Sequence, residues 1–231
     1  MPKRYKEEFK TMHNVFDQFT DRNIFKLISE GHFDGIQGQL TLGKEANIFI
    51  AKKGDERVIV KIYRLQTCDF NRMYDYIKYD PRYQHLKKRR REIIFAWAQR
   101  EFRNLLKARE IGINVPKPIA IKFNILVMEL IGEPAPKLKD MPPKNPKEFF
   151  GEIIKMMKKL YKNGLVHADL SHFNILNHNE TPYIIDWSQC TQSENPRAEE
   201  YLKRDIRNIC NFFSRYLKAS EEQVLRTIKG K

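Results

Sequence analysis

A chain of 231 residues with 41% hydrophobic and 12% aromatic content can bury a sizeable core, which excludes a disordered segment. Lys and Arg number 43 against 29 acidic residues, a formal charge of +14. A surplus that large points to acidic partners, nucleic acid first, or else to a generally basic solvated surface. No apolar run is long enough to span a membrane, and Met1-Pro2-Lys3-Arg4-Tyr5-Lys6 carries no secretory apolar stretch. Cys68, Cys190 and Cys210 are widely spaced and frame neither a disulfide scaffold nor a zinc site. A cytoplasmic protein is the expectation.

Apolar spacing at Phe9, Met12, Val15, Phe16, Phe19, Ile24, Phe25, Leu27 and Ile28 predicts a helical extension over residues 1–34. The pattern changes after that. Ile48-Phe49-Ile50-Ala51 and residues 57–63 predict two strands joined by a polar turn at 52–56. A polar and aromatic stretch over about 65–90 reads as a long mobile loop. Its end, Lys87-Lys88-Arg89-Arg90-Arg91, is as well suited to a solvated helix start as to contacting phosphates. Residues 93–109 predict a long helix stopped at Gly112, and Ile119-Ala120-Ile121 with residues 124–130 predict a second hairpin. Five prolines over 132–147 suggest an exposed crossing. Asn145-Pro146 then opens a helix with Phe149, Ile153, Met157 and Leu160 on one face, and Asn163-Gly164 stops it. A short strand at 182–185 follows, and the tail is amphipathic, with Tyr201, Leu202, Ile206, Ile209, Phe212, Phe213, Tyr216 and Leu217 on a broad apolar face. Ser220-x-x-Gln223 caps a last short helix.

The segment His167-Ala168-Asp169-Leu170-Ser171-His172-Phe173-Asn174, followed by Ile184-Ile185-Asp186, has the layout H-x-D-x-x-x-x-N and then a carboxylate at a strand end. That order suits phosphoryl transfer. An acceptor hydroxyl needs a carboxylate beside it to position it and take its proton, and Asp169 fits. A triphosphate needs Mg2+ held by hard oxygen ligands, which Asn174 and Asp186 supply; Mn2+ would also serve. The plainer reading of the His-Asp pair is a turn closed by an Asx hydrogen bond.

Lys61 sits inside an apolar strand, as an edge-strand lysine that deters aggregation or as one with a buried counter-charge. Glu101 offers that charge, because Ile94, Trp97 and Leu105 place it on the apolar stripe of the long helix. The pair would orient the α- and β-phosphates. Thr41-Leu42-Gly43-Lys44-Glu45-Ala46-Asn47, just before the Lys61 strand, is a plain turn or the cover of the nucleotide, bound through Thr41, Gly43, Lys44 and Ala46, with the Thr41 hydroxyl and Lys44 ammonium on the phosphates. It is neither G-x-G-x-x-G nor a Walker A loop. Met128-Glu129-Leu130-Ile131, at a strand end before the prolines, is the natural hinge for adenine, or simply a strand end. Asp205 either holds the Asp169 loop by hydrogen bonds or is an ordinary surface acid.

Gly43-Lys44-Glu45-Ala46-Asn47, His167-Ala168-Asp169-Leu170-Ser171 and Ile185-Asp186-Trp187-Ser188-Gln189 together resemble the signatures of the RIO family of atypical protein kinases. The first subfamily, with G-K-E-A-N rather than G-K-E-S-D, is the closer match, and an archaeal source is expected. The resemblance covers about residues 35–218. It implies an α+β, two-lobed protein-kinase-like fold, with a small β-rich N-lobe over 35–131 and a mainly helical C-lobe over 132–231. The fold would be trimmed of peptide-binding subdomains, and the tail after Asp186 has no D-F-G or A-P-E and little room for them.

The resemblance further implies ATP and Mg2+ as cofactors, Asp169 as catalytic aspartate, Asn174 and Asp186 as metal ligands, and Lys61 with Glu101 as the phosphate-orienting pair. Leu42 stands where the family usually has a threonine, and His172 where an acidic residue is common. Two functions are implied: transfer to protein serine, autophosphorylation included, and an ATPase switch on pre-small-ribosomal-subunit particles and their rRNA. A small-molecule kinase is a weaker third, because its acceptor pocket needs a larger helical lobe.

Overall fold

The computed structural model describes residues 16–230. Phe9, Met12 and Val15 of the predicted extension therefore lie outside the described residues. Helix α1 (Gln18–Ser29) starts where the Asp17 carboxylate accepts the Phe19 and Thr20 amides at 3.0 Å each. Five strands follow in two hairpins and an added edge: β1 (Gly35–Leu42), β2 (Ala46–Lys53), β3 (Glu56–Tyr63), β4 (Pro118–Lys122) and β5 (Ile125–Glu129). They form one antiparallel sheet in the order β1-β2-β3-β5-β4.

The two-residue period of β3 divides its side chains between two cores. Val58, Val60 and Ile62 pack with Ile24, Leu27 and Phe33 on the face covered by α1. Ile59 and Tyr63 belong to the larger core on the opposite face, and Lys61 points the same way. Pairing of Lys61 with Ile48 and Leu126 fixes that register. A slip of one residue would turn the ammonium into the apolar core of Ile24, Leu27 and Phe33.

Helix α3 (Arg90–Glu110) lies under the sheet and is buried on two stripes, one through Ile94, Ala98, Glu101 and Leu105, the other through Ile93, Trp97, Arg100 and Asn104. The expected mobile loop before it is instead ordered. It contains α2 (Phe70–Ile77) and a 3-10 turn at Pro81–Tyr83. Asp69 caps α2 by accepting the Arg72 amide at 3.1 Å. Met73 and Ile77 are wholly buried, and Tyr76 packs between Trp97 and Tyr201, 5.9 and 5.4 Å away between ring centroids. These partners lie far along the chain, so the local pattern did not reveal them.

The proline-rich crossing is mostly exposed but not free. Leu138 is fully buried and its amide donates to the Ile175 carbonyl at 2.8 Å, while the Asn177 amide donates to the Pro136 carbonyl at 2.9 Å. Helix α4 (Pro146–Lys162) begins at Asn145 and ends at Gly164, whose φ of +69° suits a residue without a side chain. Short strands β6 (Leu165–Val166) and β9 (Thr191–Gln192) pair, as do β7 (Ile175–His178) and β8 (Thr181–Ile184). Helices α5 (Ala198–Phe213) and α6 (Glu221–Lys229) close the chain, the latter capped by Ser220 as its sequence predicts. All three cysteines are free and buried. Among the described residues, no helix is long and apolar enough to cross a membrane.

Candidate active site

The centre of the site is Lys61. Its Nζ donates to Glu101 Oε1 at 2.9 Å and to Asp186 Oδ1 at 3.1 Å. Tyr63, two residues on and on the same strand face, donates its hydroxyl to Glu101 Oε2. Burial pushes the Glu101 carboxyl up even against Lys61, and burial opposes charge on the lysine. The nearby Asp186 and Glu101 outweigh that and raise the Lys61 ammonium above its ordinary value. The pair expected from two separate oddities in the sequence is thus a single ion-pair network reaching across to Asp186.

Asp186 follows β8 with φ +62°, a left-handed conformation that turns its carboxylate back toward the sheet. Burial raises its pKa, but Lys61 and a 3.0 Å hydrogen bond donated by Ser188 Oγ hold it below the ordinary carboxylate range. Ala168 is also left-handed, at φ +65°, which costs a non-glycine residue roughly 1–2 kcal/mol. The loop is held in that shape from α5. Asp205 accepts the Ala168 amide at 2.8 Å and the Leu170 amide at 2.9 Å, Arg204 donates to the Ala168 carbonyl, and Asn208 donates to the Leu170 carbonyl at 3.0 Å. Asp205 is therefore a buried clamp on the Asp169 loop and not a surface acid. Burial pushes its carboxyl up to about 8, against the pull of the two amides and Arg204.

Asn174 donates its amide to the Asp169 carbonyl at 2.9 Å and to Asp169 Oδ2 at 3.1 Å. This fixes the carboxylate and leaves the Asn174 side-chain Oδ1 to accept a ligand, while its main-chain carbonyl accepts the Ile185 amide at 2.9 Å. Burial, and then Asp186, push the Asp169 carboxyl up to about 6. His167 is buried against Trp187, with its Nε2 3.2 Å from the Ile185 carbonyl, so that nitrogen carries the proton.

A cavity of about 650 Å³ runs from these groups along the sheet. Thr41, Gly43, Lys44 and Ala46 line it from the β1–β2 turn, Lys61 and Glu101 from within, and Met128, Glu129 and Ile131 from the end of β5. Asn174 and Asp186 line it from below; Asp169 lies outside the lining. The turn needs glycine at position 43, because a Cβ there would lie 2.6 Å from the Ala46 carbonyl oxygen. Apolar Ile48, Ile59, Leu176 and Ile185 supply the walls a flat ring system requires. The Asn174 amide oxygen and the Asp186 carboxylate are hard donors, and two such ligands leave room for phosphate oxygens and water. That donor set fits Mg2+.

A family model for the RIO domain matches residues 47–225. The chain belongs to the RIO family. It is 46% identical over 217 residues to the RIO-type serine/threonine-protein kinase Rio1 of Methanocaldococcus jannaschii, covering 92% of this chain and 74% of that one. It is 41% identical over 213 residues to the Rio1 kinase of Haloferax volcanii, covering 90% and 73%. A solved structure of the Rio2 kinase from Chaetomium thermophilum, an ADP/Mg2+-phosphoaspartate complex, superposes with a TM-score of 0.70 at 24% identity. That match covers 90% of this chain and 66% of the other, just under two thirds of its length. The expected kinase-like α+β fold is borne out, and the chain is a kinase of the RIO family.

The two departures from the RIO pattern have different settings. Leu42 is 62% exposed and, unlike Thr41 and Gly43, does not line the cavity. His172 stacks on Phe212 at 4.9 Å and does not itself line the cavity. Residues that the motif reading missed are Tyr63, Arg204, and the pair Arg100 and Asn104. The last two had a readable signal, since they share a helical stripe with Ile93 and Trp97 where apolar residues are expected.

The buried His167 makes a testable contribution to stability. Burial lowers its pKa from 6.5 to about 4, so the fold holds it neutral while the unfolded chain takes up a proton below 6.5. Stability from this group is therefore lost as pH falls from 6.5 toward 4, by about 3 kcal/mol in total at ~1.4 kcal/mol per unit. Denaturant unfolding of wild type and His167→Asn across that window should show a shallower decline for the variant. Parallel curves would mean that the histidine is solvated.

Proposed function

We propose that this chain binds MgATP in the sheet-side cavity and transfers the γ-phosphoryl group to a serine hydroxyl of a protein, itself included. The observation that carries the reading is the Lys61 ammonium, held between Glu101 and Asp186 in the cavity beside the Asn174 ligand. In this reading the N-lobe ends near residue 131 and the C-lobe begins at 132, with adenine against Met128, Glu129 and Ile131. Thr41, Gly43, Lys44 and Ala46 cover the phosphates, and Lys61 orients them. Mg2+, held by Asn174 and Asp186, would neutralise charge developing on the phosphates. Asp169 positions the acceptor hydroxyl and takes its proton as the oxygen attacks phosphorus and the bond to the ADP oxygen breaks. We place the work in maturation of the small ribosomal subunit, where the +14 charge suits contact with rRNA in pre-ribosomal particles.

A second reading is an ATPase switch on those particles, and a specific observation favours it. The Asp186 carboxylate itself lines the cavity, and the similar Rio2 structure is described as a phosphoaspartate complex. A carboxylate oxygen would then attack the γ-phosphorus and release ADP, and water would hydrolyse the acyl phosphate to free phosphate and carboxylate. The deciding experiment follows the label of γ-labelled ATP with the full chain and Mg2+, with and without pre-small-subunit particles. Acid-stable label on serine supports the kinase reading. Hydroxylamine-labile label on this chain, with free phosphate rising when particles are added, replaces it with the switch.

A further inference from the structure

Beside the Asp169 loop lies a row of rings for which nucleotide chemistry has no use. Phe173, just before Asn174, leaves 51% of its surface in water. Its ring centroid is 4.2 Å from that of His172, which in turn stacks on Phe212 with 18° between the planes. Phe212 lies 6.4 Å from the exposed Tyr216.

Cations close both ends of the row. Lys139 Nζ lies 5.6 Å over the Phe173 ring, and the Arg215 guanidinium lies 4.9 Å over Phe212 and 5.5 Å over Tyr216. Lys139 also lines the cavity, and its amide donates to the His172 carbonyl at 3.2 Å. The row therefore starts at the mouth of the cavity. Among the described residues Arg215 has no carboxylate within ion-pair distance, and Lys139 has the exposed Asp140 at 3.3 Å.

We propose that this row docks the protein acceptor: an apolar side chain seats on Phe173, while acidic side chains flanking the serine reach Lys139 and Arg215. The inference rests on the protein-kinase reading above and names its acceptor class, an acidic segment with an apolar anchor. Charge complementarity selects acidic over basic residues. The rings select protein over single-stranded RNA. Base stacking needs an open aromatic face. Phe212 is buried between His172 and Arg215, and Phe173, the one half-open ring of the pair, has His172 at 4.2 Å and the Lys139 ammonium at 5.6 Å, so the row offers a single apolar seat between cations and not a run of stacking platforms.

The test measures anisotropy of a labelled short peptide, serine flanked by leucine and glutamates, on the full chain with Mg2+ and a non-hydrolysable ATP analogue. A lysine-for-glutamate peptide and a short oligouridylate RNA serve as competitors. We expect the acidic peptide to bind, and Phe173→Ser and Arg215→Glu each to weaken it about tenfold. Arg215→Glu should also gain affinity for the lysine peptide while binding the ATP analogue as before, a reversal that a damaged fold would not give. Equal binding of both peptides, variants without effect, or RNA displacing peptide with the same variant sensitivity would overturn the proposal. Charge-selective peptide binding without phosphate transfer would keep the docking surface and remove the protein-kinase reading. Transfer to both peptides alike would do the opposite.

Discussion

Asp169→Asn is expected to lower phosphoryl transfer by about 10²–10⁴-fold, the usual contribution of a positioned general base, and to leave MgATP affinity close to wild type. Asp169 stands outside the cavity lining, while its Oδ2 is held by the Asn174 amide at 3.1 Å. In the proposed mechanism its task is to serve the acceptor and not the nucleotide. Asp186→Ala should behave differently. That carboxylate pairs with Lys61 inside the cavity and fits a metal ligand, so its loss should weaken Mg2+-dependent nucleotide binding as well as transfer. Nucleotide titration with and without Mg2+, beside label transfer, separates the two. Equal loss of binding in both variants would end this division of roles.

Stability should move the other way. Burial raises the Asp169 carboxyl to about 6, from 3.8 in the unfolded chain. The folded state thus holds more proton between those values, and stability falls as pH rises through the window. At neutral pH the native fold carries an unfavourable carboxylate that the amide variant lacks. Asp169→Asn should then be more stable by about 1–2 kcal/mol, discounted for partial exposure, with the gain absent below pH 4. In wild type, transfer should rise with pH through about 6 as the base ionises.

Much of this site was legible because its chemistry is written in short-range order. The alternation in β3 fixes the face of Lys61, and the stripe of α3 fixes that of Glu101, so two local periodicities predict one long-range ion pair. The spacing from Asp169 to Asn174 is likewise local, and their amide–carboxylate hydrogen bonds follow from it.

What stayed hidden depends on partners distant in sequence. The apolar face of α2 is only Phe70, Met73, Tyr76 and Ile77 among charges, and its order comes from Trp97 and Tyr201. Strand β1 shows no clean alternation because its register shifts between Ile36 and Gly38 and again between Gln39 and Thr41. Asp205 looked equally like a surface acid until the left-handed turn at Ala168 supplied two amides for it to accept.

Arg100 is the strongest case of such hidden structure, and Arg100→Met is expected to destabilise the fold by about 2–3 kcal/mol, the upper part of the usual cost of leaving a buried acceptor unsatisfied. The side chain has no exposure. Its Nε donates to Asp80 Oδ2 at 3.2 Å, and its two terminal nitrogens donate to the carbonyls of Ser188 and Cys190 at 3.1 and 2.9 Å. Asp80 would keep Arg82 at 2.7 Å, so the charge is not stranded. The two carbonyls have less left. Asn104 still reaches Cys190 at 3.1 Å, but Ser188 would lose its donor. Because the Ser188 hydroxyl steadies Asp186, loosening this stretch should weaken Mg2+-dependent nucleotide binding, although Arg100 touches neither metal nor nucleotide. Arg100→Lys, which keeps the charge but not the fork, should fall between wild type and Arg100→Met. Arg103→Met, one turn away on the exposed side over Tyr83, should change stability by about 1 kcal/mol or less. Urea unfolding of the three variants, read beside nucleotide titration, tests the ranking. If Arg100→Met and Arg103→Met unfold alike, the buried arginine does not tie the Glu101 helix to the Asp186 loop, and that tie rests on Lys61 and on the Asn104 hydrogen bonds to the Trp187 and Cys190 carbonyls.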